Sequence, residues 1–359
     1  MERFLAGSAG TRSLKREFKN LSLDVSPVRW GVLGVASIFE RRMVPAFAAA
    51  SNAQVVALAS RSLDRASAAA RKHGIPVAFG SYEELLDSAE VEAVYVPLPN
   101  DLHAEWTLKA LAKGKHVLCD KPAALNYADA KRCADAAHAA NLRLMEGFMF
   151  RHHPQHARIA EIVAGGEIGT VAHFRGTFTY AADARHRSTF RFDSAQGGGA
   201  LLDVGVYPLN AARLHFGSEP AAVYALATPD PATGVDKRIA VLLEWADGRT
   251  ATVEGGFDQT FTTRYEVAGD NGVITTERAF QPGDGAVTLA IRNGDAVRIE
   301  TIAGVNQYVR EIEHFSACVR DVARSLAPGE DGAAQARVVH AVRRSMAERR
   351  RVTLAEVGE

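Results

Sequence analysis

Val28-Arg29-Trp30-Gly31-Val32-Leu33-Gly34-Val35-Ala36-Ser37-Ile38-Phe39 is the stretch that decides the fold. Residues 28–33 are apolar apart from Arg29, as a strand covered on both faces should be, and Gly34 ends them. A helix is expected over 38–50, interrupted and kinked by Pro45. Outward from this unit, strands are expected at 54–59, 76–79, 91–96, 117–119 and 142–145, with helices at 63–73, 82–87, 102–113 and 127–140. Gly74 stops the helix at 63–73, and Ser81-x-x-Glu84 is a capping box for the next. This alternation predicts an N-terminal Rossmann-like domain over about 27–150, an α/β fold with a doubly wound parallel sheet.

The texture changes after Arg151. A helix at 155–164 is followed by expected strands at 171–181, 221–226, 239–245, 250–257, 263–268, 272–276, 287–291 and 296–302. Asp247-Gly248 and Asp270-Asn271-Gly272 have hairpin-turn chemistry. Helices are expected again at 305–326 and 334–349. Residues 151–359 therefore read as an α+β domain with a large, mostly antiparallel open sheet, whose terminal helices are free to pack back on the first domain. The basic run 343–351 reads as a solvated helix end.

Lys+Arg and Asp+Glu are both 42 in a chain of 359 residues, so no charge excess draws the molecule to nucleic acid or an anionic membrane. A small neutral substrate suits it better than a polyanion. Cys119, Cys133 and Cys318 have neither metal-ligand spacing nor a disulfide framework. No run approaches the ~20 apolar residues of a membrane span. Residues 1–26 lack the apolar core of a signal peptide, which points to the cytoplasm unless an export signal has already been removed. They read as an arm, in which Arg12, Lys15 and Arg16 would reach a phosphate or a neighbouring subunit, or equally as an unstructured tail.

In the turn after the first strand, Gly34 takes the first place of a dinucleotide fingerprint, Ala36 approximates the second, and Phe39 stands where the third glycine would be. Ser37 and Ile38 open the helix whose amides and dipole would face a phosphate. The second strand ends in Ser60-Arg61, with Arg65 one turn on, where an enzyme using NAD usually has an acidic residue. Guanidinium suits a 2′-phosphate, which favours NADP(H) over NAD.

At the end of the 117–119 strand stands Asp120-Lys121-Pro122. An amine at the carboxyl edge of a parallel sheet is placed to hold a substrate oxygen. Arg151 and His153, in Arg151-His152-His153-Pro154-Gln155-His156, are expected to line the cleft or tie the domains together. A metal site is disfavoured there, since Pro154 separates His152 from His156 and no carboxylate or cysteine completes the set.

Five passages together resemble the glucose-fructose oxidoreductase / inositol dehydrogenase (Gfo/Idh/MocA) family. They are residues 34–38; Val96-Pro97-Leu98-Pro99-Asn100 with His103; Cys119-Asp120-Lys121-Pro122; Glu146-Gly147-Phe148-Met149-Phe150-Arg151 with Pro154-Gln155; and Gly197-Gly198-Gly199-Ala200-Leu201-Leu202-Asp203-Val204-Gly205-Val206-Tyr207. The likeness is greatest to the branch of glucose-fructose oxidoreductase, dimeric dihydrodiol dehydrogenase and NADP-linked xylose dehydrogenase. It implies that Lys121 is the active-site lysine, close to both the nicotinamide and the substrate, and that Tyr207 is the proton-transfer residue. It also implies that Asp120 lies near the nicotinamide ribose, and that Leu98, Pro99, Asn100 and His103 line the nicotinamide side of the cleft.

Asp203, Tyr207 and Asn210 are spaced i, i+4 and i+7, so on a helix they share a face, with Asp203 and Asn210 expected to orient substrate hydroxyls. A lysine cation nearby is expected to lower the tyrosine pKa from about 10. The expected reaction is NADP-dependent oxidation of a cyclic aldose at C1 to its lactone, in a dimer or tetramer paired through the open sheet. The cofactor is either released or retained to reduce a second sugar to an alditol. Dihydrodiol oxidation and a nucleotide-sensing regulator without turnover are the alternatives.

Overall fold

The computed structural model describes residues 26–358, so the arm or tail read at 1–26 lies outside the described residues apart from Ser26. The first sheet has six strands: β1 (Val28–Leu33), β2 (Ala53–Ala59), β3 (Val77–Phe79), β4 (Ala93–Val96), β5 (His116–Asp120) and β6 (Leu144–Gly147). Their order is β3-β2-β1-β4-β5-β6 and every pair is parallel. The winding reverses between β1 and β4, and the crevice outside the carboxyl ends opens there. The connecting helices are α1 (Val44–Ala49), α2 (Leu63–His73), α3 (Tyr82–Asp87), α4 (His103–Ala112) and α5 (Tyr127–Ala139).

The helix expected at 38–50 is divided. Residues Phe39–Met43 form a π turn, and Pro45 lies in the first turn of α1, where its missing N–H breaks no bond. Phe39, in the place of a third glycine, is fully buried in the core with Val32 and Met43.

The second sheet comprises β7 (Val171–Ala181), β8 (Ala222–Pro229), β9 (Asp236–Glu244), β10 (Thr250–Gly256), β11 (Asp258–Gly269), β12 (Val273–Thr276), β13 (Val287–Asn293), β14 (Ala296–Ile302) and β15 (Val352–Thr353). The order is β14-β13-β12-β11-β7-β10-β9-β8-β15, antiparallel throughout except at β7–β10. Alternation sets its faces: Ile239, Val241 and Leu243 of β9 point inward and are buried, while Leu242 points out. Onto the inner face pack α6 (Pro154–Ala164) and α8 (Val206–Phe216), and α7 (Ala184–Arg187) is a single turn on the β7–α8 connection. A Cβ on Gly255 of β10 would come within 3.0 Å of Gly205 Cα, so glycine lets the start of α8 seat against the strand.

The last two helices span both sheets. Helix α9 (Gln307–Val319) lies on the parallel sheet, with Ile312 and Phe315 packed against Trp30, whose indole N–H donates to Ser316 Oγ at 3.2 Å. Helix α10 (Gly329–Glu348) meets α5 through Ala130, Ala134, Ala333 and Ala336, and its Ser345 Oγ accepts from Ala225 N of β8 at 2.9 Å. The basic run at its end is laced to acceptors: Arg343 to Leu125 O, Arg350 to Glu348 and Glu356, Arg351 to Glu244. Such exposed pairs add little stability.

On β6, facing Gly332 of α10, Glu146 is 3% exposed; its Oε1 accepts from Ala123 N at 2.8 Å while Oε2 has no partner. Burial pushes its carboxyl up to about 8. The folded state therefore prefers the protonated acid, and stability falls as pH rises from the ordinary carboxylate range through about 8. Glu146→Gln should abolish this dependence. Its stability relative to the parent should rise by roughly 2–4 kcal/mol between about pH 5 and about pH 9, read from urea unfolding midpoints.

Candidate active site

Strand β5 ends at Asp120, which places Lys121 at the carboxyl edge of the parallel sheet, followed by a cis Lys121–Pro122 peptide. Buried His103, at the start of α4, ties this turn to the one after β4. Its Nδ1 lies 2.6 Å from Pro122 O and its Nε2 2.8 Å from Leu98 O. Asn100 Nδ2 donates to Gly197 O at 2.9 Å. Both residues, read as lining the cleft, thus also bracket the loops that form it.

Lys121 Nζ donates to Asp203 O at 2.6 Å and to Asp203 Oδ1 at 3.3 Å. The other carboxylate oxygen accepts from Tyr180 OH at 2.9 Å and from Arg191 Nε at 3.0 Å. Burial opposes the Asp203 charge, but the Arg191 and Lys121 cations and the Tyr180 hydrogen bond hold its carboxyl well below the usual range. The Asp203 charge in turn raises Arg191. One buried carboxylate is thus held by two cations and a phenol.

Tyr207 lies beside this cluster, with Lys121 Nζ 5.1 Å from its ring centroid. Its ring is packed edge-on against Phe148 and Phe178, and its hydroxyl donates weakly to Met149 Sδ at 3.6 Å. The expected lowering of its pKa by lysine does not occur. Burial pushes the phenol well up, Tyr308, Asp120 and Asp203 add to this, and the lysine charge is engaged by Asp203.

The glycine run explains how the acid reaches the lysine. A Cβ on Gly198 would sit 2.7 Å from the carbonyl oxygens of Phe190, Arg191 and Asp193, so the run wraps tightly against the loop that carries Arg191. Gly199 N donates to Arg191 O at 2.9 Å. The following residues, Leu201–Gly205, form a π turn, not an α turn, so the i, i+4, i+7 face breaks. Asp203 and Tyr207 meet at Lys121, whereas Asn210 is fully buried and donates to Gln335 Oε1 of α10 at 3.4 Å.

Arg151 and His153 are likewise not brought to Lys121. The Arg151 guanidinium binds Asp331 at 2.5 Å and the Leu326 carbonyl, tying the end of the parallel sheet to α10. His153 caps α6 by accepting from Gln155 N at 3.3 Å, and burial pushes its imidazole down to about 4. The neighbouring histidines diverge, His152 onto His314 and His156 onto Tyr265.

At the nucleotide end, Gly34 has φ +106° and a Cβ there would meet Leu98 Cδ2 at 3.0 Å, so only glycine lets the chain turn this closely under Leu98. Val35, Ala36 and Ile38 are half-buried and Ser37 exposed, which leaves the backbone after β1 open to a phosphate. Arg65 Nη2 donates to Val35 O at 2.7 Å, and the Arg61 and Arg65 charges both act on the Tyr82 hydroxyl near Gly34. Ser60 closes β2 beside them. The residues present fit a dinucleotide, with the Arg61 and Arg65 cations beyond the end of β2. Asp120 accepts from Tyr95 OH at 3.3 Å and from Lys121 N at 2.8 Å.

Tyr180 and Arg191 were not legible as site residues. Tyr180 is one of several aromatics on β7, and Arg191 follows Arg185 and Arg187 in a polar loop with no motif. The nearby glycine run was the only signal that this loop is held against something.

Residues 28–148 match the oxidoreductase family with an NAD-binding Rossmann fold, and residues 156–275 match the GFO/IDH/MocA C-terminal domain. The chain is 39% identical to the NADP-linked D-xylose 1-dehydrogenase 2 of Haloferax volcanii over 81% of its length and 88% of that protein. A 3-ketoreductase from Actinomadura kijaniata, solved with NADP and TDP-benzene, superposes with a TM-score of 0.84 at 36% identity, covering 89% of this chain and 98% of that one. An aldose-aldose oxidoreductase from Caulobacter crescentus superposes equally well, at 0.84 and 27% identity, over 91% and 99%. A parallel sheet with a glycine turn at its switch point, a lysine at its carboxyl edge and a mostly antiparallel second sheet thus belong to an NAD(P)-dependent oxidoreductase of the GFO/IDH/MocA family.

Proposed function

We propose that the chain is an NADP-dependent sugar oxidoreductase that oxidises C1 of a cyclic aldose to the lactone. The observation that carries this is the convergence of Lys121 and Tyr207, from separate halves of the chain, at the carboxyl edge of the parallel sheet. Lys121 would hold the C1 oxygen and offset the negative charge that develops on it. Tyr207 would take the hydroxyl proton. Asp203 keeps Lys121 aimed, and Arg191 and Tyr180 fix Asp203 in turn. Asp120 would contact the nicotinamide ribose. The bound nicotinamide would supply the acceptor for hydride from C1, so that aldose and NADP⁺ give lactone, NADPH and a proton.

A second reading is reduction of a keto sugar. It is favoured by the phenol of Tyr207, which burial keeps protonated and ready to donate, and by the likeness to the 3-ketoreductase. A retained cofactor that reduces a second sugar to an alditol accords with the likeness to the aldose-aldose oxidoreductase. The exposed residues Leu226, Leu242, Val297 and Ile299 on the outer face of the open sheet would pair copies of the chain in a dimer or tetramer.

Aldoses supplied with NADP⁺ or NAD⁺ test the main reading. Lactone with NADPH supports it, lactone and alditol formed together with no added cofactor support the retained form, and absence of turnover with any aldose or keto sugar overturns it. For the 2′-phosphate, the double variant Arg61→Ala with Arg65→Ala should weaken NADP⁺ about a hundredfold and change NAD⁺ by no more than about threefold, read by calorimetric titration. Equal losses for both nucleotides would refute the 2′-phosphate assignment.

A further inference from the structure

We infer that Glu311, reaching in from α9 near the far end of the chain, is a contact for the nicotinamide riboside half of the cofactor. The inference rests on the nucleotide-dependent reading above and deepens it. Glu311 stands at the carboxyl end of β5 and β6. A Cβ on Gly147 would lie 3.2 Å from Cys119 O, 3.3 Å from Asp120 Cα and 3.7 Å from Glu311 Oε1, so the carboxyl borders the strand edge beside Asp120. This is the side of an open parallel sheet on which ligands bind.

Glu311 is 3% exposed and its Oε1 has no hydrogen-bond partner. A buried acid without a partner is costly, and its neighbours on α9, Ile312 and Phe315, show that an apolar residue suits this face. Packing therefore leaves the glutamate unexplained, whereas a polar ligand at the strand edge would satisfy it. Its electrostatic neighbours are Asp120, Tyr95, Tyr308 and Tyr207. Burial, with the Asp120 charge second, pushes its carboxyl well up. As a neutral acid it offers an O–H donor and a carbonyl acceptor, the complement of a carboxamide or of ribose hydroxyls.

Calorimetric titration of Glu311→Leu and Glu311→Gln with NADP⁺ and with 2′,5′-ADP, which lacks the nicotinamide riboside, tests this. Glu311→Leu should weaken NADP⁺ about tenfold and Glu311→Gln by less than about threefold, with 2′,5′-ADP unchanged in both. The thermal midpoint of Glu311→Leu should not fall, since an unpartnered buried acid is replaced by an apolar group. Unchanged NADP⁺ affinity in Glu311→Leu, or an equal loss for 2′,5′-ADP, overturns the inference alone. A parent protein that binds no NADP⁺ overturns the cofactor reading and this inference with it.

Discussion

Replacing Lys121 by alanine is expected to lower kcat by about a thousandfold, with NADP⁺ affinity and the thermal midpoint nearly unchanged. The lysine is the one cation of the cluster that projects from the parallel sheet, and its ammonium is fixed by two acceptors on a single residue, the Asp203 carbonyl and carboxylate. Losing it removes the cation placed to balance a developing alkoxide at the strand edge. The fold should tolerate the change, because Asp203 keeps Arg191 and Tyr180 as partners. Steady-state rates beside a cofactor titration check this. A variant that keeps more than a tenth of the parent rate would remove Lys121 from the chemistry.

Tyr207→Phe should lower kcat about a hundredfold while KM changes little. The hydroxyl makes only a long contact to Met149 Sδ, so its removal leaves no strong polar group unpaired. The pH profile should distinguish the two directions of reaction. Burial first, then Tyr308, Asp120 and Asp203, hold the phenol protonated well beyond neutral pH. Reduction, which needs the proton, should stay level from neutral into alkaline solution. Oxidation, which needs the proton accepted, should rise with pH over the same range. The rise in oxidation should vanish in the phenylalanine variant, and its persistence would show that another group carries the proton.

The parallel sheet was legible because its strands are buried on both faces and read as continuous apolar runs, bounded by signals such as Gly74 and the Ser81 cap, both of which the structure contains. The second sheet was legible from its turns, although β15 is too short to announce itself. What the sequence did not disclose depends on helical phase and on distant partners. A π turn at 201–205 differs from an α turn by one residue of phase, and that residue turns Asn210 away from the lysine. Arg151 was read as lining the cleft or tying the domains together, and nothing local shows that Asp331, 180 positions on, will bind it. The tyrosine was expected to lose its proton easily because a lysine stood near. The side chain that neutralises that lysine was itself named, but its closeness is a matter of tertiary packing.

The covering of the parallel sheet by α9 has a consequence for biosynthesis. Trp30 finds its lid, Phe315 and Ser316, only after a further 286 residues have been made. A nascent chain that has already wound all six parallel strands still presents one apolar flank to solvent until α9 leaves the ribosome. The nucleotide half is for this reason not a portable cassette: severed near residue 150, it would lack part of its own core.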